Sequence, residues 1–421
     1  MTKAPSDRGS VLSWALYDWA NSAFALVVVS VFFPVFLKQY WGAGSDASTS
    51  TLQLGIANSL AATLVALSAP VLGAIADRTR SRKASLAAFT SAGVVATAAL
   101  AFVGSGQVMP ALALFVLASV GFAAAGIFYD ALIVDVAAPE SLHAVSALGF
   151  GLGYLGGGLL FGLSVAMTLW PAHFGLPHSA AATRTSFVLV AAWWALFSLP
   201  LFLNVTEKRS EAGPGSPLAS GWRRLLGTLR ELRKHRVAWI FLAAYWCYID
   251  GVYTMARMAV DYGLDLGFSP ASLIVAILLT QLTGFPASLL FGRLGSRFGA
   301  KPMLYTGIAV YALACIWSFR MSEVREFYAL AAAIGLVQGG VQSVSRSYFA
   351  GLVPAGRSGE FFGFFNMAGR FSAVVGPAVV GAVGAMTGNP RFAVLAILLL
   401  FIAGAGLLSF AADDENAASM N

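Results

Sequence analysis

The sequence predicts an all-α membrane protein with twelve transmembrane helices in two six-helix bundles. Three observations predict it: an apolar composition, apolar runs of one recurring length, and a basic loop motif that returns six runs later. Of the 421 residues, 58% are hydrophobic and 11% charged. A soluble domain carries about 25% charged residues, so this chain has too little polar side chain to face water all round. Each run is near the roughly 20 residues that a helix needs to cross about 30 Å of hydrocarbon. In lipid every backbone N–H and C=O must be paired internally, and the alternation of a barrel strand is absent, so helices follow.

The expected spans are 11–37, 52–75, 84–103, 111–136, 144–170 and 186–204, then 237–260, 271–292, 303–319, 327–350, 361–386 and 391–411. The polar, arginine-rich stretch between the sixth and seventh reads as a linker. This divides the chain into an N-terminal bundle (1–205), a cytoplasmic basic linker (206–236) and a C-terminal bundle with a short tail (237–421). Lys3 and Arg8 before an apolar run imitate a signal peptide. The run from Val11 to Leu37 is much longer than an h-region of about 7–15 residues, so a retained first span is expected.

Charge asymmetry gives the orientation. With the N-terminus inside, the inner segments hold Arg78, Arg80, Arg82, Lys83, the linker cations, Arg293, Arg297, Lys301 and Arg357. The outer segments hold Lys38, Arg184, Arg257, Arg320, Arg325 and Arg391. The positive-inside rule then places both termini in the cytoplasm, in a bacterial-type inner or plasma membrane. The net charge of +7 follows from these loops and gives no reason to expect nucleic acid as a partner. Cys247 and Cys315 fall inside spans, and the four histidines lack metal-ligand spacing. Neither a metal nor a cofactor is expected. With no phosphate-binding loop and no nucleophile constellation, neither is an enzyme.

The repeat is GAIADRTRSRK (Gly73 to Lys83) after the second span and GRLGSRFGAK (Gly292 to Lys301) after the eighth. The first copy resembles the loop signature G-x-x-x-D-R-x-G-x-R-K of the major facilitator superfamily. Gly73, Asp77, Arg78, Arg82 and Lys83 match, and Arg80 replaces the inner Gly. In the second copy Ser296 replaces the Asp and Gly299 is kept. Within that superfamily the chain resembles the vacuole-effluxer family, which includes the autophagy-related vacuolar amino-acid effluxer. YDWANSAF (Tyr17 to Phe24), YIDGVYT (Tyr248 to Thr254), GLVQGGVQSVSRSYFAGLVP (Gly335 to Pro354) and EFFGFFN (Glu360 to Asn366) carry that likeness. One departure is Asp130, in FYDALIVD, where the family leads one to expect Asn. The resemblance implies the major facilitator fold and a monomeric secondary transporter working by alternating access. It also implies amino acids as substrate, by efflux; transport is expected to be facilitative or proton-linked, with protons as the coupling ion in the second case. Export of drugs or secondary metabolites, and a non-transporting receptor or scaffold, are the alternatives.

An ionisable residue at the bilayer centre costs about 2.5–3.5 kcal/mol on insertion scales, so each must face a partner or a cavity. Asp18, Asp130, Asp250 and Arg346 fall one each in the first, fourth, seventh and tenth spans, the helices that line the cavity in major facilitators. Asn21 shares a face with Asp18, and Gln342 with Arg346, by helical spacing; Tyr17 belongs to the same aromatic surround. Two readings stand for Asp18, Asp130 and Arg346: a gate that closes the cytoplasmic side, or a static buried ion pair. Asp250, at mid-span, is the preferred substrate or proton site, with Arg346 offered to a substrate carboxylate. Asp77, Arg78, Arg82, Lys83 and Arg297 form the expected gating loops. Arg257 with Asp261 reads as a surface pair, and Asn366 with Arg370 as a face turned to the linker or the other bundle.

Overall fold

The computed structural model describes residues 7–43, 47–79, 82–207, 236–354, 356–388 and 390–411. Most of the expected linker, 208–235, lies outside the described residues, as does Arg80; of Arg78 only the backbone is described. Among the described residues the long elements are twelve helical rods. They are α1 (Arg8–Trp41), α2 (Ala47–Thr79), α3 (Arg82–Leu100), α4 (Val108–Val136), α5 (Leu142–Leu169) and α6 (Ser179–Asn204). After these come α7 (Arg236–Asp265), α8 (Pro270–Phe298), α9 (Ala300–Arg320), α10 (Val324–Gly351), α11 (Ser358–Thr387) and α12 (Pro390–Ser409). Ten are long and apolar enough to cross a membrane.

The helix ends obey local chemistry. Asp7 accepts from the N–H groups of Gly9 and Ser10 to cap α1. Ser269 caps α8 ahead of Pro270, and Glu323 with Glu326 forms a capping box on α10. Caps also explain where the ends depart from the expected spans. His178 accepts from the Ala181 N–H, so α6 begins well before 186. Gln107 Oε1 accepts from the Gly104 N–H in the turn that ends α3 at Leu100 rather than 103. The outer part of α1 is wound as π-helix over Phe24–Phe32 and Leu37–Trp41, on either side of a turn holding Pro34, which lacks an N–H to donate.

The packing repeats with an offset of six. In the first six helices, α1 packs on α5 and α6, α2 on α4, and α3 on α4 and α6. In the last six, α7 packs on α11 and α12, α8 on α10, and α9 on α10 and α12. The contacts between the two sets obey the same rule: α2 on α11 matches α8 on α5, and α4 on α11 matches α10 on α5. One face of the molecule carries the start of α1, the α2–α3 turn, the end of α6 and the starts of α7 and α11. We refer to it as the terminal face.

Candidate functional site

Near the terminal face, α10 turns Arg346 into the other half of the molecule. The residue is 2% exposed, a depth at which every guanidinium N–H needs an acceptor. Nη1 donates to Asp18 Oδ2 at 3.3 Å and to Asp130 Oδ1 at 3.2 Å, and Nη2 donates to Asp18 Oδ2 at 3.2 Å. Nε donates to Ser146 Oγ at 2.9 Å, and Nη2 also to the Ser146 carbonyl at 2.9 Å. The rings of Phe150, Trp14 and Tyr129 stand 4.3, 4.8 and 5.4 Å from Arg346 Cζ. Trp14 and Tyr129 are themselves stacked at 4.5 Å.

Each acid has a further donor. Tyr129 donates its hydroxyl to Asp18 Oδ2 at 2.8 Å, and Asn366 Nδ2 on α11 donates to Asp130 Oδ2 at 3.0 Å. The cluster therefore joins α1, α4 and α5 to α10 and α11. Its closeness depends on Gly149 of α5, where a Cβ would stand 2.5 Å from Asp18 Oδ2 and 3.0 Å from Arg346 Nη2. One cation meets two carboxylates here, so one bound proton leaves the buried cluster neutral.

A second contact lies at the same face. Asp77, at the end of α2, accepts from the N–H groups of Gly359 and Glu360, both at 2.9 Å, capping the start of α11. The helix N-terminus is the favourable place for a negative charge. Arg82 reaches Asp135 at 3.1 Å and donates to Ser358 Oγ, and its Nε lies 3.9 Å from Asp77. Backbones touch just below: a Cβ on Gly73 would meet the Gly359 carbonyl oxygen at 1.9 Å. Burial pushes the Asp77 carboxyl up to about 6, against the pull of the Glu360 and Gly359 N–H groups and of Arg82.

The comparisons with known proteins decide the family. The description "Vacuole effluxer Atg22 like" matches residues 42–419. The chain is 38% identical over 406 residues to the "Uncharacterized MFS-type transporter YxiO" of Bacillus subtilis, covering 96% of this chain and 95% of that one. The chain belongs to the vacuole effluxer Atg22-like family. Autophagy-related protein 22 of Yarrowia lipolytica is 26% identical over 62% of this chain, and the match spans about half, 49%, of the fungal protein. Among solved structures, the human organic anion transporter MFSD10 superposes with a TM-score of 0.74 at 17% identity, covering 96% of this chain and 100% of that one. The proton:xylose symporter XylE superposes with a TM-score of 0.73 at 13% identity, covering 96% of each chain. These neighbours share the major facilitator fold. The chain is a multi-pass membrane transporter of the major facilitator type, and not an enzyme.

Within this Atg22-like chain, the residues singled out by sequence divide into three groups. Asp18, Asp130 and Arg346 meet in one cluster; Asp77 and Arg82 meet in the other. Tyr17 and Asn21 stay in the first half: the Tyr17 hydroxyl is 2.7 Å from Thr90 Oγ1 and its ring leans on Tyr129 at 4.8 Å. Asn21 is buried beside it, and Gln342 is half-buried on α10.

The remaining residues have surroundings of their own. Asp250 is 1% exposed, and its Oδ1 accepts from Gly376 N–H of α11 at 3.0 Å and Thr254 Oγ1 at 3.2 Å, all among the last six helices. No hydrogen bond or ion pair links it to Arg346 among the described residues. Arg346 in turn is committed to Asp18 and Asp130 in this conformation, so it is not held out to a substrate carboxylate. Arg297 is exposed and stands over its neighbour Phe298 at 5.2 Å, and Ser296 takes the place of the acid that anchors the first copy. Lys83 Nζ donates to the Val205 carbonyl, tying α3 to the end of α6. Asp261 has Asp265 and Lys38 as its electrostatic neighbours.

Sequence reasoning missed Ser146, Gly149 and the α11 N-terminus. Ser146 and Gly149 sit in a glycine-rich helix whose spacing reads as packing. The N–H groups that meet Asp77 are backbone, which carries no residue signature.

Proposed function

We propose that the chain is a proton-linked exporter of amino acids that works by alternating access of two six-helix units, 1–205 and 237–421, in the plasma membrane with both termini cytoplasmic. The observation that carries this reading is the Arg346 cluster. A buried cation from the last six helices is shared by two acids from the first six, so opening the terminal face must separate them. Breaking a buried pair with no replacement costs about 3–5 kcal/mol. A proton delivered to the acids lowers that cost, since a neutral carboxyl leaves less charge to strip from the guanidinium. Among the described residues the hydrogen bonds to Asp18 fall on Oδ2, while both oxygens of Asp130 accept. Asp18 Oδ1 is therefore the oxygen that carries the proton. Amino acids as substrate rest on the resemblance to the vacuolar amino-acid effluxer alone.

The test uses proteoliposomes with labelled amino acids and an imposed pH gradient. Wild type is expected to show flux driven by the gradient, and Asp18→Asn to keep counterflow while losing that drive. Equal pH dependence in the variant sinks the proton assignment. Absence of counterflow for every amino acid in wild type sinks the amino-acid reading.

A further inference from the structure

We propose that Arg370 on α11 is the anchor for a carboxylate on the transported solute, an inference that rests on the transport reading above. Arg370 lies one helical turn beyond Asn366 on the same face, away from the terminal end of its helix. At about 1.5 Å per residue it sits about 18 Å in from that end, near mid-membrane. It is half-buried although protein surrounds it, which is the condition of a side chain facing an internal chamber. Its guanidinium stands 5.8 Å from the Phe122 ring of α4, across the boundary between the two sets of helices.

What surrounds it is short of negative charge. Among the described residues no carboxylate lies within ion-pair distance of Arg370. Its electrostatic neighbours are Tyr253 and Tyr245 of α7 and Asp130. Asp130 already gives one oxygen to Arg346 and the other to Asn366. Arg257, a second cation two turns of α7 outward from Asp250, is also an electrostatic neighbour and adds charge of the same sign. A guanidinium held in this way in the middle of a membrane is costly, and the cost falls when an anion arrives. Arg presents paired donors in a rigid fork that matches a carboxylate in two parallel hydrogen bonds. The tyrosine rings supply an amphipathic wall for the rest of a small organic acid.

The position also gives the ligand a route to the gate. Asn366 donates to Asp130 and follows Arg370 by one turn toward the terminal face, so a solute drawn onto Arg370 pulls on the helix that holds the cluster.

The test separates the carboxylate from the amine. Purified wild type, Arg370→Gln and Arg370→Lys are compared by thermal shift with L-leucine, isocaproate, which lacks the amine, and isoamylamine, which lacks the carboxylate. Arg297→Gln on the exposed terminal face is the control. Wild type and the control are expected to be stabilised by leucine and isocaproate and not by isoamylamine. Arg370→Gln should bind both acids about tenfold to a hundredfold more weakly, the loss typical of a charged hydrogen-bonded contact. Where that variant fails to fold, Arg370→Lys decides, with the same preference for acids at weaker apparent affinity. Stabilisation by isoamylamine, unchanged affinity in Arg370→Lys, or no shift by either acid in wild type overturns the anchor. Counterflow of isoamylamine without isocaproate overturns it while leaving transport standing; absence of all counterflow removes the transport reading instead.

Discussion

Replacing Gly149 by alanine is the smallest change that bears directly on the Arg346 cluster. The added Cβ would stand 2.5 Å from Asp18 Oδ2, 3.0 Å from Arg346 Nη2 and 3.1 Å from the Trp14 ring. Ordinary contact requires the carboxylate to retreat by close to an ångström, and it cannot do so while Tyr129 and both guanidinium nitrogens hold the same oxygen. The alternatives are to break the pair or to part α1 from α5. Losing one partner of a buried pair costs about 3–5 kcal/mol. Alanine returns about 1 kcal/mol through its helix propensity over glycine. The balance, about 2–4 kcal/mol against the arrangement closed at the terminal face, shifts a two-state equilibrium by about 30-fold to 1000-fold. Spin labels at exposed Glu140 and Arg297, one on each half, read that shift as a longer distance in Gly149→Ala than in wild type. An unchanged distance distribution, with an unchanged Tm, would refute the reasoning.

Two more outcomes follow from the geometry. Because the Asp77 carboxyl is raised to about 6 by burial, the closed arrangement binds a proton more tightly than one in which Asp77 is solvated at an ordinary aspartate value. Closure at the terminal face is therefore favoured as pH falls through 6 and lost as pH rises through it; Asp77→Asn should flatten this dependence in the same spin-label distance. Asp250→Asn keeps an oxygen for the Gly376 and Thr254 donors and is expected to leave Tm near wild type, whereas Asp250→Ala strands the Gly376 N–H and should cost about 1–3 kcal/mol, read as a lower Tm.

The helices and the repeat were legible in the sequence because both are set by near-neighbour chemistry: run length, loop charge, and motif spacing. The membership of the Arg346 cluster was legible for the same reason, since each charge in lipid needs a partner and these three lie near one end of their helices. For Asp250 and Arg370 the sequence left the surroundings open, for a common cause. A partner for Asp250 came from a backbone N–H on α11, invisible as a residue type, so an acid that looked available already accepts on Oδ1. Arg370 looked like a contact with the linker or the other half, and it does face Phe122 of α4. Its want of a nearby acid depends on where Asp130 spends its two oxygens, which no spacing along one chain reveals.

The offset-of-six packing explains why the cluster has opposite charges. The contacts α4 on α11 and α10 on α5 are mates under that offset. Asp130 with Asn366 belongs to the first, and Arg346 with Ser146 to the second. Asp130 and Arg346 thus occupy comparable levels on paired helices and meet near the axis that relates the halves, at 3.2 Å. Two identical residues there would repel if charged, or contribute little if apolar; an acid facing a base attracts. The terminal loops break the same symmetry. Asp77 binds the start of α11, whereas among the described residues its counterpart Ser296 bonds within its own helix, to Gly292, and α8 meets α5 through Gly292 at Ala147 and His143. The α2–α11 seam therefore holds a polar latch that a substitution can weaken and that falling pH, through the raised Asp77 carboxyl, favours. Close packing lies on both seams, at Gly73 against Gly359 and at Gly292 against Ala147 and His143, so the Asp77 contact is what sets α2–α11 apart from α5–α8.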